Sequence, residues 1–267
     1  MRAPLLAALL AVALAAACRT RPAPPRPVPG IAGAAAAVDS GGRFVADYGP
    51  AAPDFAEFRA DLIAHRFLDT IATRLNDSLR IPADIVLNTA HCDEPNASYD
   101  RDTRRVTLCY ELFKYLSERF AKRTGGEYLV TGTVVFALMH ELGHALVDVL
   151  ALPITGREED AVDQLATILL LQQGPAGDSL AFGAVGWFAS SVHRDALDSL
   201  AFADDHGLEQ QRVYNILCWI YGRDPERYPE IVSDGWLPEH RAIRCVDEYR
   251  RLADSWRRLL APYHRRP

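Results

Sequence analysis

His140 and His144 stand four residues apart in Phe136-Ala137-Leu138-Met139-His140-Glu141-Leu142-Gly143-His144-Ala145-Leu146, with Glu141 beside the first of them. On a helix, residues i and i+4 lie one above the other, so both imidazoles reach a single ion. Glu141 projects next to them, close enough to orient and deprotonate a water held there. Burying two histidines and an acid unpaired is costly, and a metal with its ligand shell offsets that cost. A pair of core histidines satisfied by neighbouring side chains would produce the same motif, so the surroundings decide. Gly143 lets a second segment approach closely, and bulky apolar residues flank both sides.

That second segment is acidic: Gly156-Arg157-Glu158-Glu159-Asp160-Ala161-Val162-Asp163-Gln164. Such charge at a helix start is favourable with the helix dipole and by itself implies no site. Beside the two histidines it offers more. Catalytic zinc takes three protein ligands and keeps the fourth position for water. Glu159 is the third ligand expected, and Asp163, one turn on, accepts the outer N–H of a ligating histidine. Glu158 and Asp160 are the alternatives: Val162 follows Glu158 by one turn and cannot orient a histidine, while Asp160, shorter and with Gln164 one turn on, is the runner-up.

The elements that position these residues are mostly helical. Residues 127–150 read as one long helix stopped by Pro153, and 157–173 as the next, closed by Gly174-Pro175. Residues 178–202, 204–222 and 241–260 supply three more. Earlier, Asp54 caps a helix to about Leu79 with Phe58, Leu62, Phe67, Ile71 and Leu75 on one stripe, and 110–122 is again helical. Strands are expected at 43–48 and 84–91. Residues 97–100 and 105–109 form the arms of a hairpin. The fold class is therefore α+β, predominantly helical, with a small antiparallel sheet. His206, Arg212 and Tyr214 fall on the helix after Asp204-Asp205, with His206, Gln210 and Tyr214 along one face. They are candidates to stabilise an oxyanion, against the plainer roles of a packed tyrosine and a helix-start histidine.

Residues 1–17 carry one charge, Arg2, before an apolar run too short to span a membrane and ending in small residues, which reads as a signal peptide. Cys18 is either a lipidated first residue of the exported chain or a residue trailing from the cut signal. Residues 18–42, rich in Pro, Ala and Gly, form an extended linker, and 43–267 a single folded domain. The remaining cysteines, Cys92, Cys109, Cys218 and Cys245, are even in number, as two disulfides in an exported chain require. Of three pairings, Cys92–Cys109 and Cys218–Cys245 are favoured because each closes a short local segment; no zinc-knuckle spacing is present. The chain's 267 residues are 49% hydrophobic and 24% charged, an ordinary globular balance. Lys and Arg (29) are outnumbered by Asp and Glu (35), which argues against nucleic acid as a partner. Trp187, Trp219, Trp236 and Trp256 are expected in the core. Arg250, Arg251, Arg257, Arg258, Arg265 and Arg266 make a basic C-terminus, a solvated face or a contact for anionic headgroups. Membrane association would otherwise come only through the N-terminal anchor.

H-E-x-x-H followed by E-x-x-x-D on the next helix resembles the gluzincin metallopeptidases. The longer run HELGHALVDVLALPITGREEDAVDQLATILLL, His140 to Leu171, resembles the DUF4344 family of metallopeptidases. So do Asn96-Ala97-Ser98-Tyr99-Asp100, Cys109-Tyr110-Glu111-Leu112, Gln211-Arg212-Val213-Tyr214-Asn215 and Asp254-Ser255-Trp256. The resemblance implies a zincin-like domain with Zn²⁺ held by His140, His144 and Glu159, and Glu141 as general base in hydrolysis of a peptide or protein substrate by a metal-activated water. In zincins an edge strand holds the substrate backbone by β-addition. Here residues 97–100 or 105–109, stiffened by a Cys92–Cys109 bridge, would fill that part. The rivals are an envelope binding protein with a structural zinc and a metal-free helical interaction domain.

Overall fold

The computed structural model describes residues 41–192 and 203–265. The expected signal, Cys18 and nearly all of the expected linker lie outside the described residues, as do the end of the helix expected over 178–202 and Arg266. The expected single domain divides into two compact units. One comprises the chain up to Tyr115, Ala145–Leu152 and the residues from Ser255; the other comprises Leu116–His144 and Pro153–Asp254.

The first unit holds a four-stranded sheet of β1 (Phe44–Tyr48), β2 (Ile85–Ala90), β3 (Ala97–Asp100) and β4 (Arg105–Cys109), in the order β1-β2-β4-β3. The sheet is mixed rather than antiparallel: β1 and β2 run parallel, as do β2 and β4, and only the β3–β4 hairpin is antiparallel. The reason lies in α1 (Ala56–Ala64) and α2 (Phe67–Ser78), which carry the chain back so that β2 starts at the same end as β1. Ile85, Leu87, Val106 and Leu108 are fully buried on the two inner strands, each side chain contributing roughly 1.5–3 kcal/mol. Since β4 is paired on both sides, residues 105–109 cannot accept a further strand, whereas β3 is an edge.

The single helix expected over 54–79 is two. Asp54 sits in a 3-10 turn (Pro53–Phe55) and caps nothing, and Arg66 breaks the path at φ 52°. Phe58 and Leu62 are buried before the break, Phe67 and Leu68 after it. On a straight helix Phe67 would point about 140° away from Leu62, so the break is what lets both pairs face inward. Cys92 and Cys109 are joined, with Cα atoms 5.5 Å apart.

The second unit is helical. Its elements are most of α4 (Gly126–Val149), α5 (Glu158–Leu171), α6 (Pro175–Ser191), α7 (Glu209–Arg223), the short α8 (Glu230–Ser233) and α9 (Glu239–Ala242), and the start of α10 (Cys245–Leu260); α3 (Tyr110–Phe120) ends in this unit. α4 is long and apolar enough to cross a membrane, but 72% of its most apolar window is buried in the molecule, as in a core helix. A Cβ on Gly132 would lie 2.6 Å from the Leu180 carbonyl oxygen, so α4 and α6 touch backbone to backbone. α5, α6 and α7 pack on one another around Leu165, Ile168, Phe188, Ile216 and Trp219. Cys218 of α7 is bonded to Cys245, the first residue of α10. Trp219 and Trp256 are core residues, Trp187 is half-buried, and Trp236 is 51% exposed because it stands in the turn after α8.

Candidate metal centre

One residue sets the crossing of α4 over α5. A Cβ on Gly143 would lie 2.8 Å from the Val162 Cβ, closer than side chains tolerate, so only glycine permits this approach. With Val162 docked on Gly143, the first turns of α5 lie against His140 and His144, whose ring centroids are 5.0 Å apart. Ligand atoms of His140, His144 and Glu159 all lie within 4.8 Å of one another.

Every ring in the cluster has an acid at Nδ1. His140 Nδ1 is 2.8 Å from Asp163 Oδ1, and His144 Nδ1 is 2.8 Å from Glu158 Oε1. His206 Nδ1 is 3.3 Å from Asp204 Oδ1, which also accepts the His206 backbone N–H at 2.8 Å. Such acids hold the ring proton on Nδ1 and leave Nε2 as the outward nitrogen. The three Nε2 atoms then converge on Glu159, at 3.0 Å from His140, 3.3 Å from His144 and 2.9 Å from His206. His206 stacks on His140 at 5.9 Å. Three imidazole lone pairs and a carboxylate aimed at one place repel unless a cation or added protons lie among them. The donor set of two nitrogens and a carboxylate oxygen suits a divalent transition metal, so these residues fit a metal ion.

The electrostatics express the same demand as affinity for protons. Burial disfavours a charged His140, but its hydrogen bonds to Asp163 and Glu159 prevail and push its pKa up to about 9. Burial also opposes ionised Glu159, yet hydrogen bonds from His140, His144 and His206 hold its carboxyl far below the ordinary range. For Glu141 burial wins: its pKa is raised, with His140 and His144 pulling the other way. That is the direction a general base needs.

Asp163 is 5% exposed and is gripped by Arg212, with Nε donating to Oδ2 and Nη2 to Oδ1, both at 2.8 Å. The guanidinium lies 3.9 Å over the Phe188 ring. Arg212 therefore spends Nε and Nη2 on holding Asp163 and acts on the cluster through that acid, with Nη1 left over. His206 precedes α7 in a bend, not on the helix, because its backbone N–H turns back to Asp204. It reaches Glu159 nonetheless. Tyr214 is half-buried on α7 and joins no hydrogen bond to the cluster among the described residues; it lines a neighbouring pocket.

Sequence reasoning missed the role of Glu158. Neighbours on a helix diverge by about 100°, from which only one of Glu158 and Glu159 is expected to face an ion. The same divergence lets the pair straddle His144, one acid at each ring nitrogen. Asp204, two residues before His206, was also passed over; an Asx turn of the form D-x-H was its signal.

The sequence matches the DUF4344 family, described as "putative metallopeptidase", over residues 49–260. No curated protein and no solved structure matches the chain. The family match spans most of the chain and takes in the whole of the His140, His144 and Glu159 cluster; the chain belongs to this family.

Proposed function

We propose that the protein is a zinc-dependent peptidase of an oxidising compartment, the bacterial cell envelope being the reading that the leader-like N-terminus supports. The observation that carries it is the convergence of His140, His144 and Glu159 beside Glu141, a half-buried carboxyl that none of the described residues hydrogen-bonds. Zn²⁺ held by those three side chains would polarise the scissile carbonyl and make water acidic enough to attack near neutral pH. Glu141 accepts a proton from the attacking water and returns it to the leaving amine. Asp163 and Glu158 keep the two rings in the tautomer that presents Nε2. His206, anchored by Asp204 through Nδ1, offers Nε2–H to the oxygen that gains charge when its ring is doubly protonated. The two disulfides fit an exported chain, and Cys18 is the residue through which a lipid anchor would act.

The test is Glu141→Gln in the purified, zinc-loaded chain. Metal content and melting temperature should stay as they are, because Gln is nearly isosteric. Hydrolysis of a fluorogenic peptide library should fall by at least ~10²; unchanged hydrolysis removes Glu141 as the base.

One observation favours a second reading. His206 Nε2 lies 2.9 Å from Glu159, so it could complete a four-ligand structural zinc on a binding protein. His206→Ala separates the two: loss of metal and of thermal stability supports the closed site, while retained metal with lowered turnover supports the peptidase.

A further inference from the structure

Beside the metal cluster, and wholly within the helical unit, lies a pocket of about 510 Å³. Its walls continue those of the cluster: Asp160 follows Glu159, Gly207 follows His206, and Arg212 is the residue that grips Asp163. A Cβ on Gly207 would meet Asp160 Oδ1 at 3.4 Å, Gln211 Oε1 at 3.7 Å and Arg157 Nη1 at 4.0 Å. Three side-chain tips thus gather over one bare stretch of backbone.

The hydrogen-bond inventory of the walls is lopsided. Gln211 Oε1 already accepts the Leu208 N–H, and Asn215 Oδ1 already accepts from Arg241, so both amides have only N–H groups left to offer. Arg241 spends Nη1 and Nη2 on Glu248, and Arg212 spends Nε and Nη2 on Asp163. Each keeps a further N–H. The Arg157 guanidinium has no hydrogen-bond or ion-pair partner among the described residues. Asp160 is the one carboxylate in the lining. Free donors outnumber free acceptors, which selects an occupant rich in acceptors, and guanidinium donors bind carboxylate oxygens most strongly.

We propose that this pocket is a subsite for a carboxylate of the peptide substrate, either an acidic side chain or a free C-terminus. The assignment rests on the peptidase reading for its substrate class, but not for the binding itself. It gives Arg157 and Asp160 opposite effects: Arg157 attracts the group and Asp160 repels it.

The probe is a set of fluorogenic peptides with Glu or Gln at each position in turn, each made with a free or an amidated C-terminus. Hydrolysis is measured with the zinc-loaded full chain and binding with zinc-loaded Glu141→Gln. One acidic position, or the free C-terminus, should raise kcat/KM and affinity about 10-fold over its neutral counterpart, the worth of one charged hydrogen bond. Glu against Gln and acid against amide tell which carboxylate is read. Arg157→Ala should erase the preference, Asp160→Asn should enlarge it, and neither should change the neutral amidated peptide. Equal handling of acidic and neutral peptides, or an Arg157→Ala loss shared by all of them, overturns the subsite. Acid-selective, Arg157-dependent binding without any cleavage upholds the subsite and sinks the peptidase reading.

Discussion

Among its described residues the helical unit buries two carboxylates against arginine, and they serve different ends. Asp178, 1% exposed in the first turn of α6, is held by Arg223 and by the Tyr228 hydroxyl at 2.7 Å, with Arg227 at 3.9 Å. Asp163, 5% exposed on α5, is held by Arg212 and by His140. Both are charges whose burial would be prohibitive without a partner. The Asp178 network closes on itself: the described partners are two arginines and a tyrosine that packs edge-on to Phe182, and nothing in it points at an empty coordination position. The Asp163 network stays open, because it passes through an imidazole whose far nitrogen faces Glu159. A buried acid clamped by arginine is thus a packing device in itself. It becomes part of a site only where a histidine carries its effect onward.

That contrast is open to experiment. Glu159→Ala should strip the metal under mild chelation, which metal analysis after dialysis will show; a variant that keeps its metal would mean that α5 presents another carboxylate. Arg223→Ala, by leaving Asp178 buried with little compensation, should cost about 3 kcal/mol of stability in denaturant titration and leave metal affinity as it is. Asp163→Ala should instead weaken metal binding ~10- to 100-fold. If both variants lose stability alone, the two networks are the same kind of device and the comparison fails. Glu158→Ala should keep the metal but bind it about 10-fold more weakly, since His144 loses only the acid behind its Nδ1. Unchanged affinity would reduce that contact to a surface ion pair.

The site was legible to different depths. His140, Glu141 and His144 are visible because helical periodicity alone places i and i+4 on one face. Glu159 and Asp163 follow from the same arithmetic once α5 is taken as a helix. The grip of Arg212 on Asp163 does not follow, because it needs α7 docked on α5 at a depth set by side-chain volumes. The partition of the sheet was also hidden: alternation identifies β1, β2 and the hairpin as strands, but parallel pairing depends on where α1 and α2 return the chain. The continuous stripe read over 54–79 failed for a related cause. A local pattern cannot report a reversal at Arg66 that only the tertiary packing of Phe58, Leu62, Phe67 and Leu68 rewards.

What the sequence by itself determined is therefore the chemistry of near neighbours: the paired histidines with their acid, the carboxylates one turn apart, the helices long enough to hold them. These depend on backbone geometry, which repeats every few residues regardless of context. Tertiary structure decided which distant groups meet: Glu158 and Glu159 on either side of one ring, His206 swung from a bend to the third side of Glu159, Arg212 turned inward and Tyr214 left to a neighbouring pocket. Those meetings depend on how closely helices approach, and that distance is set by single points of contact such as Gly143 against Val162, which no periodicity reveals.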